Sequence, residues 1–71
     1  MTLMAALIEP SVGLYTAVRL EFLDSEPRRV IFAGLDHALA FHERAEELIQ
    51  QRAPLKTCVA AAQASAGFVR I

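Results

Sequence analysis

The sequence predicts an α+β domain: a three-stranded antiparallel meander, one amphipathic helix packed on it, and a C-terminal strand or hairpin (βββαβ or βββαββ). Three observations predict this fold. Apolar and polar residues alternate with a period of two over residues 14–22, which is typical of a strand. Turn sequences rich in Pro, Gly and Asp separate short apolar runs over residues 1–35. From residue 36 onward, apolar residues recur at helical spacing.

The predicted strands are residues 1–8, 14–22 and 28–34. The first is an apolar run that Glu9 and Pro10 interrupt after eight residues. Because it is too short for an export signal or a membrane span, we interpret it as a buried strand and expect a soluble, cytoplasmic protein. The chain has 71 residues, so we expect one domain, residues 1–71.

A single amphipathic helix is predicted from Asp36 to Arg52. Asp36 is the predicted N-cap, because its carboxylate can accept hydrogen bonds from free backbone N–H groups and complements the helix dipole. Pro54 should end the helix, because the residue before a proline avoids the helical conformation. The predicted core stripe of the helix consists of Ala38, Phe41, Ala45, Leu48 and Ile49.

The segment from Leu55 to Ile71 is compatible with two structures. Its alanines, residues 60–62, favour a helix that Gly67 would end. Residues 57–59 favour a strand, and residues 64–67 resemble a hairpin turn. We favour the hairpin, because a second helix would leave the first edge of the sheet uncovered.

Both faces of the predicted sheet are apolar, which is unusual for a sheet with one helix. In the third strand, Val30 and Phe32 alternate with Ile31 and Ala33. In the first strand, strict alternation separates Leu3, Ala5 and Leu7 from Met4, Ala6 and Ile8. The C-terminal segment, a second subunit or a target protein must therefore cover the second face. We expect a homodimer or another protein complex.

No catalytic, cofactor-binding or metal-binding signature is present. His37 and His42 are five residues apart and point about 140° apart on a helix, so they cannot share a metal ion. His42 and Glu46 face the same way, but two ligands alone are more typical of a surface hydrogen bond. Cys58 is the only cysteine, which excludes an internal disulfide, and we interpret it as a small buried apolar residue in a strand.

The function that we expect is a small, non-enzymatic protein–protein interaction module that acts by covering a surface of its partner. Its size and architecture are similar to those of phage and mobile-element proteins that inhibit bacterial defence complexes, such as the anti-CRISPR proteins, although no motif carries this similarity. The predicted contact residues are on the polar side of the helix: His42, Glu43, Glu46 and Glu47. This helix is the most acidic stretch of the chain.

Two other functions stay open. A small nucleic-acid-binding protein would use Arg19, Arg28 and Arg29, with Tyr15 as a stacking residue. The formal net charge of −1 and the neighbouring acidic residues argue against it, as they argue against membrane binding. A ligand-binding or enzymatic homodimer would instead form a polar pocket at its interface, containing His37 or His42.

Overall fold

The computed structural model describes all 71 residues as one four-stranded antiparallel sheet with two helices. The elements are β1 (Leu3–Ile8), β2 (Tyr15–Phe22), β3 (Arg28–Ala33), α1 (Leu35–Gln50), α2 (Leu55–Gln63) and β4 (Phe68–Arg70). The strands lie in the order β1-β2-β3-β4. The predicted α+β class, the meander, the first helix and the final strand are thus confirmed. Neither helix has the length and apolar character needed to cross a bilayer.

A bulge in β1 changes which of its residues face the core. Leu3 lies opposite Phe22, but Ala5 lies opposite Glu21, so β1 has one more residue than β2 between the two pairs. The extra residue shifts the alternation of side chains. Leu3 and Ala6 are both buried in the core as a result. The prediction that Leu3 shares a face with Ala5 rather than with Ala6 is therefore wrong.

The start of α1 differs slightly from the prediction. The helix begins at Leu35, and its N-cap is Gly34, which makes no side-chain capping bond. Asp36 is therefore not the N-cap, because the chain already turns out of β3 at Gly34. Asp36 lies in the first helical turn instead, where its charge still complements the helix dipole.

The end of α1 is a Schellman motif. The helix ends at Gln50 rather than at the predicted Arg52, because Arg52 adopts a left-handed conformation with φ of 54°. The N–H of Arg52 donates to the carbonyl of Ile49 at 3.0 Å. The N–H of Ala53 donates to the carbonyl of Leu48 at 2.9 Å, which closes the motif.

Residues 55–63 form a helix, so the favoured hairpin is wrong and the helical alternative is correct for this segment. Cys58 and Ala62 are four residues apart and fully buried on one side of α2. Both belong to the core cluster, where small side chains let the helix approach closely. Burial of this helical face outweighs the strand preference of residues 57–59.

The first edge of the sheet, β1, is protected even though residues 55–63 form a helix. The outer side of β1 is bonded to other parts of the chain. The N–H of Leu3 donates to the carbonyl of Ala53 at 2.9 Å, and His42 Nε2 lies 3.0 Å from the carbonyl oxygen of Ala6. The helix and the loop that follows it therefore protect this edge.

The core lies between the sheet and α1. Phe32 and Phe41 pack with their ring centroids 5.0 Å apart, and Phe68 meets Phe32 edge-on at 6.4 Å. The predicted helix stripe is confirmed: Ala38, Phe41, Ala45 and Leu48 are buried, and Ile49 packs partly buried against them. Core residues of both helices and of three strands form one cluster, so both helices lie on the same side of the sheet.

Candidate functional site

The opposite side of the sheet, which we call the open face, carries no helix. The C-terminal segment does not cover it, because α2 packs into the core cluster and β4 extends the sheet beside β3. The residues of the open face alternate along the strands with those of the core. They include Leu7, Tyr15, Ala17, Arg19, Glu21, Arg29 and Ile31, and Glu9 lies beside Ala17 at the end of β1.

Four charged side chains form a row of ion pairs across the open face. Glu9 Oε1 accepts a hydrogen bond from Arg29 Nε at 2.9 Å and lies 2.8 Å from Arg29 Nη2. Glu9 Oε2 lies 3.9 Å from Arg19 Nη1. Arg19 Nε lies 3.3 Å from Glu21 Oε2, but out of line for a hydrogen bond. Arg19 and Arg29 lie directly opposite each other, so their like charges repel. Glu9 contacts both arginines and offsets this repulsion. The four charges sum to zero.

A groove, which we call the sheet groove, lies beside this row of ion pairs. Its lining consists of four apolar residues and two arginines: Val12, Tyr15, Arg29, Ile31, Val69 and Arg70. Val12, Tyr15 and Val69 are 77%, 51% and 43% exposed. Large apolar side chains that are exposed together around a concave surface are typical of an interaction site.

The two arginines of the sheet groove differ in their partners. Arg29 is held by Glu9. Arg70 forms no ion pair, and neither does Arg28 on the neighbouring strand. Strands β3 and β4 contain no acidic residue, so Arg70 is the one charged side chain of the sheet groove that has no ion-pair partner.

A larger groove follows α2, but its chemistry is less specific. Lys56 is its only charged residue, and Val59 and Ala60 contribute to an apolar wall. A third groove lies between the start of β1 and the end of α1, beside Leu23 and Arg52. Neither of these grooves combines an aromatic ring with two guanidinium groups, as the sheet groove does.

The three arginines of the nucleic-acid hypothesis do not form a single patch. Arg19 and Arg29 lie on the open face, where Glu9 and Glu21 pair with them. Arg28 lies opposite Leu20, whose side chain is in the core, so the register assigns it to the helix side of the sheet. Of the three, only Arg29 is close to Tyr15, in the sheet groove.

The acidic residues of α1 are exposed, but two of them have local partners. Glu47 Oε1 accepts a hydrogen bond from Arg44 at 2.9 Å. Glu46 Oε1 lies 3.4 Å from His42 Nε2, whereas Glu43 and Asp36 have no ion-pair partner. This surface lies on the helix, on the other side of the sheet from the open face.

The two histidines have structural contacts. His42 binds the carbonyl of Ala6, as described above, and so ties α1 to β1. His37 packs against Gly67: a Cβ atom at position 67 would lie only 2.3 Å from His37 Cγ. No three His, Cys, Asp or Glu side chains are grouped so as to hold a metal ion.

Cys58 is buried, as predicted, but it lies in α2 rather than in a strand. Its Sγ lies 4.0 Å from the carbonyl oxygen of Ala53. Burial raises the pKa of the thiol, which disfavours the thiolate that a nucleophile requires. The chemistry of this cysteine is therefore that of a small apolar side chain.

Sequence reasoning missed half of the sheet groove. It did not single out Val12, Val69 or Arg70, which come from a loop and from the short final strand. The only indication in the sequence was the apolar pair Phe68-Val69 next to Arg70. These residues become part of a groove because β4 lies beside β3.

Comparison of the chain with protein-family models, with curated proteins and with solved structures finds no match. Functional conclusions therefore depend on the geometry of the chain itself.

Proposed function

We propose that the chain is a non-enzymatic protein-binding module whose open face docks onto a partner protein. The observation that carries the proposal is the sheet groove, where exposed apolar side chains and arginines lie together. Tyr and Arg are the residue types that contribute most often to the energetic centre of protein interfaces. Tyr15, Arg29 and Arg70 provide this combination at one site.

The proposal includes an inhibitory role in the cytoplasm: a small domain that covers a working surface of a larger complex, in the manner of phage-encoded inhibitors of bacterial defence. Its support is the analogy of size and build, together with a contact face that is rigid because it belongs to a four-stranded sheet. A rigid face loses little conformational entropy on binding. Occlusion requires nothing more than such a face.

Protein binding is preferred to nucleic-acid binding because of the ion pairs. Glu9 and Glu21 neutralise Arg19 and Arg29, so few counterions would be released from a phosphate backbone at this face. Apolar residues such as Ile31 and Val69 are instead suited to contact with another protein surface.

The test is a pull-down from the native host with two matched surface variants. Ile31→Asp places a charge in the sheet groove, whereas the double variant Glu43→Lys/Glu47→Lys reverses the acidic helix surface. We expect Ile31→Asp to weaken partner binding by about 30-fold or more, the effect of a buried contact worth roughly 2 kcal/mol. We expect the helix variant to change it by less than about threefold, the effect of a solvent-exposed rim charge.

Circular dichroism on both variants provides the control for folding. The opposite pattern, with loss of binding only in the helix variant, would transfer the contact surface to Glu43, Glu46 and Glu47. Nucleic acid recovered in the pull-down, with binding that falls steeply as salt rises, would contradict a protein partner. Unchanged recovery with both variants would contradict docking through either surface.

A further inference from the structure

We propose that the partner supplies an extended acidic segment, which pairs with the free edge of β4 and places an apolar side chain in the sheet groove. This inference rests on the proposed protein-binding function and specifies how the partner is recognised. Addition of a strand to an exposed sheet edge is a recurring mode of peptide binding, in which backbone bonds give affinity and side-chain pockets give specificity.

The two edges of the sheet differ in how far the rest of the chain occupies them. At the β1 edge, the N–H of Leu3 donates to Ala53 and the carbonyl of Ala6 accepts from His42, so two of the outward backbone groups there are already used. At the other end of the sheet, β4 is the terminal strand and no strand lies beyond it. We therefore expect a partner strand to pair with β4, the edge that the chain leaves without such contacts.

The open edge adjoins the sheet groove. Val69 and Arg70 belong both to β4 and to the lining of the groove. Ile31 lies opposite Arg70 on the next strand and continues the apolar floor. Side chains of an added strand alternate between its two sides, so every second side chain would lie over the open face beside these residues.

Charge decides what kind of segment fits. Strands β3 and β4 carry Arg28, Arg29 and Arg70 and no acidic residue, and only Arg29 has an ion-pair partner. A second copy of the chain, paired through its own β4, would bring two Arg70 side chains close together, and neither has an ion-pair partner in the chain. Like charges next to each other on paired strands are destabilising, whereas opposite charges stabilise the pairing. An acidic segment of another protein is therefore the occupant that the charges favour.

Because β4 is short, side-chain contacts in the sheet groove must supply a large part of the binding energy beside the backbone hydrogen bonds. The strand has only three residues, so backbone pairing alone offers few hydrogen bonds. The groove must then contribute through apolar contact with Val69 and with Ile31 on the next strand, and Arg70 through an ion pair. A peptide that binds should combine carboxylates with one large apolar residue.

The experiment is selection of binders from a display library of random twelve-residue peptides against the wild-type chain. Enriched peptides are then synthesised with a fluorophore, and their binding is measured by fluorescence anisotropy. We expect enrichment of Asp and Glu alternating with apolar residues. Arg70→Glu should weaken binding at least tenfold, whereas the matched control Arg44→Glu, an exposed arginine on α1, should change it less than twofold.

N-methylation of alternate peptide bonds tests strand pairing without any change to the folded protein. It removes peptide N–H groups but leaves the side chains. One set of peptides is methylated at the odd peptide bonds and the other at the even ones, and we expect one of the two sets to lose at least tenfold in affinity. Enrichment of basic peptides, equal effects of Arg70→Glu and Arg44→Glu, or indifference to N-methylation in both sets would overturn the inference. A dimer in sedimentation that Arg70→Glu dissociates would also overturn it, in favour of a second copy.

The failure of this inference is distinguishable from failure of the proposed function. If Ile31→Asp abolishes capture of the native partner while no acidic peptide is selected, docking on the open face stands and strand addition at β4 does not.

Discussion

The contact between His37 and Gly67 provides the sharpest test of the packing. Gly67 has φ of +78°, and a Cβ atom there would lie 2.3–2.6 Å from the Cγ, Cδ2 and Cβ atoms of His37. Gly13 also has positive φ, +59°, but a Cβ atom there would meet no atom within 4 Å. The pair Gly67→Ala and Gly13→Ala therefore separates backbone strain from steric overlap.

The expected magnitudes follow from these two terms. Positive φ costs an alanine about 1–2 kcal/mol, which applies to both variants. Overlap with the His37 ring adds about 1–3 kcal/mol for Gly67→Ala alone, since neighbouring atoms must shift. A chain of 71 residues has a free energy of unfolding of about 4–11 kcal/mol, so Gly67→Ala removes a large part of it.

Urea denaturation followed by circular dichroism measures both changes. The double variant His37→Ala/Gly67→Ala should recover at least about 0.5 kcal/mol relative to additivity, because the ring is gone although the Cβ atom stays. Equal destabilisation by Gly13→Ala and Gly67→Ala, or strict additivity of the double variant, would refute the contact between His37 and Gly67.

Three further predictions concern other parts of the chain. Arg52→Gly should raise the free energy of unfolding by about 0.5–1 kcal/mol, because glycine tolerates the left-handed conformation at the end of α1, and Arg52→Ala should show no such gain in urea denaturation. His42→Ala should lower it by about 0.5–1.5 kcal/mol and speed hydrogen exchange in β1, because the bond to the Ala6 carbonyl is lost; unchanged exchange would contradict this role. Because burial raises the pKa of Cys58, the unfolded chain loses its thiol proton first as the pH rises above the ordinary value of 9.0, so stability should fall there. Cys58→Ala should lack that decline in pH-dependent denaturation, and an identical pH profile in both proteins would contradict burial of the thiol.

Local patterns were sufficient to predict the elements whose two sides differ. Strand β2 alternates from Val18 to Phe22 because Val18, Leu20 and Phe22 are buried in the core, whereas Arg19 and Glu21 are not buried. Helix α1 buries Phe41, Ala45 and Leu48 at helical spacing, so its stripe is visible in the sequence. In both elements the burial of side chains repeats with the period of the backbone, so apolar residues recur with the same period in the sequence.

The errors occur where a tertiary contact decides between local alternatives. The bulge between Leu3 and Ala5 inserts one residue into an alternation that looks regular in an entirely apolar run. Residues 57–59 prefer a strand, but burial of Cys58 and Ala62 on one side favours a helix. Neither contact has a signature in the neighbouring sequence, because the partners are distant along the chain.

The candidate site was only partly predictable for the same reason. Alternation correctly indicated that Ile31 lies on a second face of the sheet, whereas Tyr15 was singled out only as a stacking residue for nucleic acid. The importance of Val69 and Arg70 depends on β4 lying beside β3, which the sequence does not determine on its own. The role of Glu9 likewise depends on the pairing that brings it to Arg29.

The middle of the open face and its end at the sheet groove differ in chemistry, and this difference bears on the function. Near its middle, Glu9 and Glu21 pair with the arginines, so these charges are satisfied within the chain. At the end occupied by the sheet groove, Val69 is exposed and Arg70 has no ion-pair partner. Ion pairing could solubilise a sheet face throughout, as it does in the middle, and an exposed apolar edge is a liability for aggregation. A sequence that protects its β1 edge and leaves the β4 end apolar and positively charged is better explained by binding at that end than by the needs of folding.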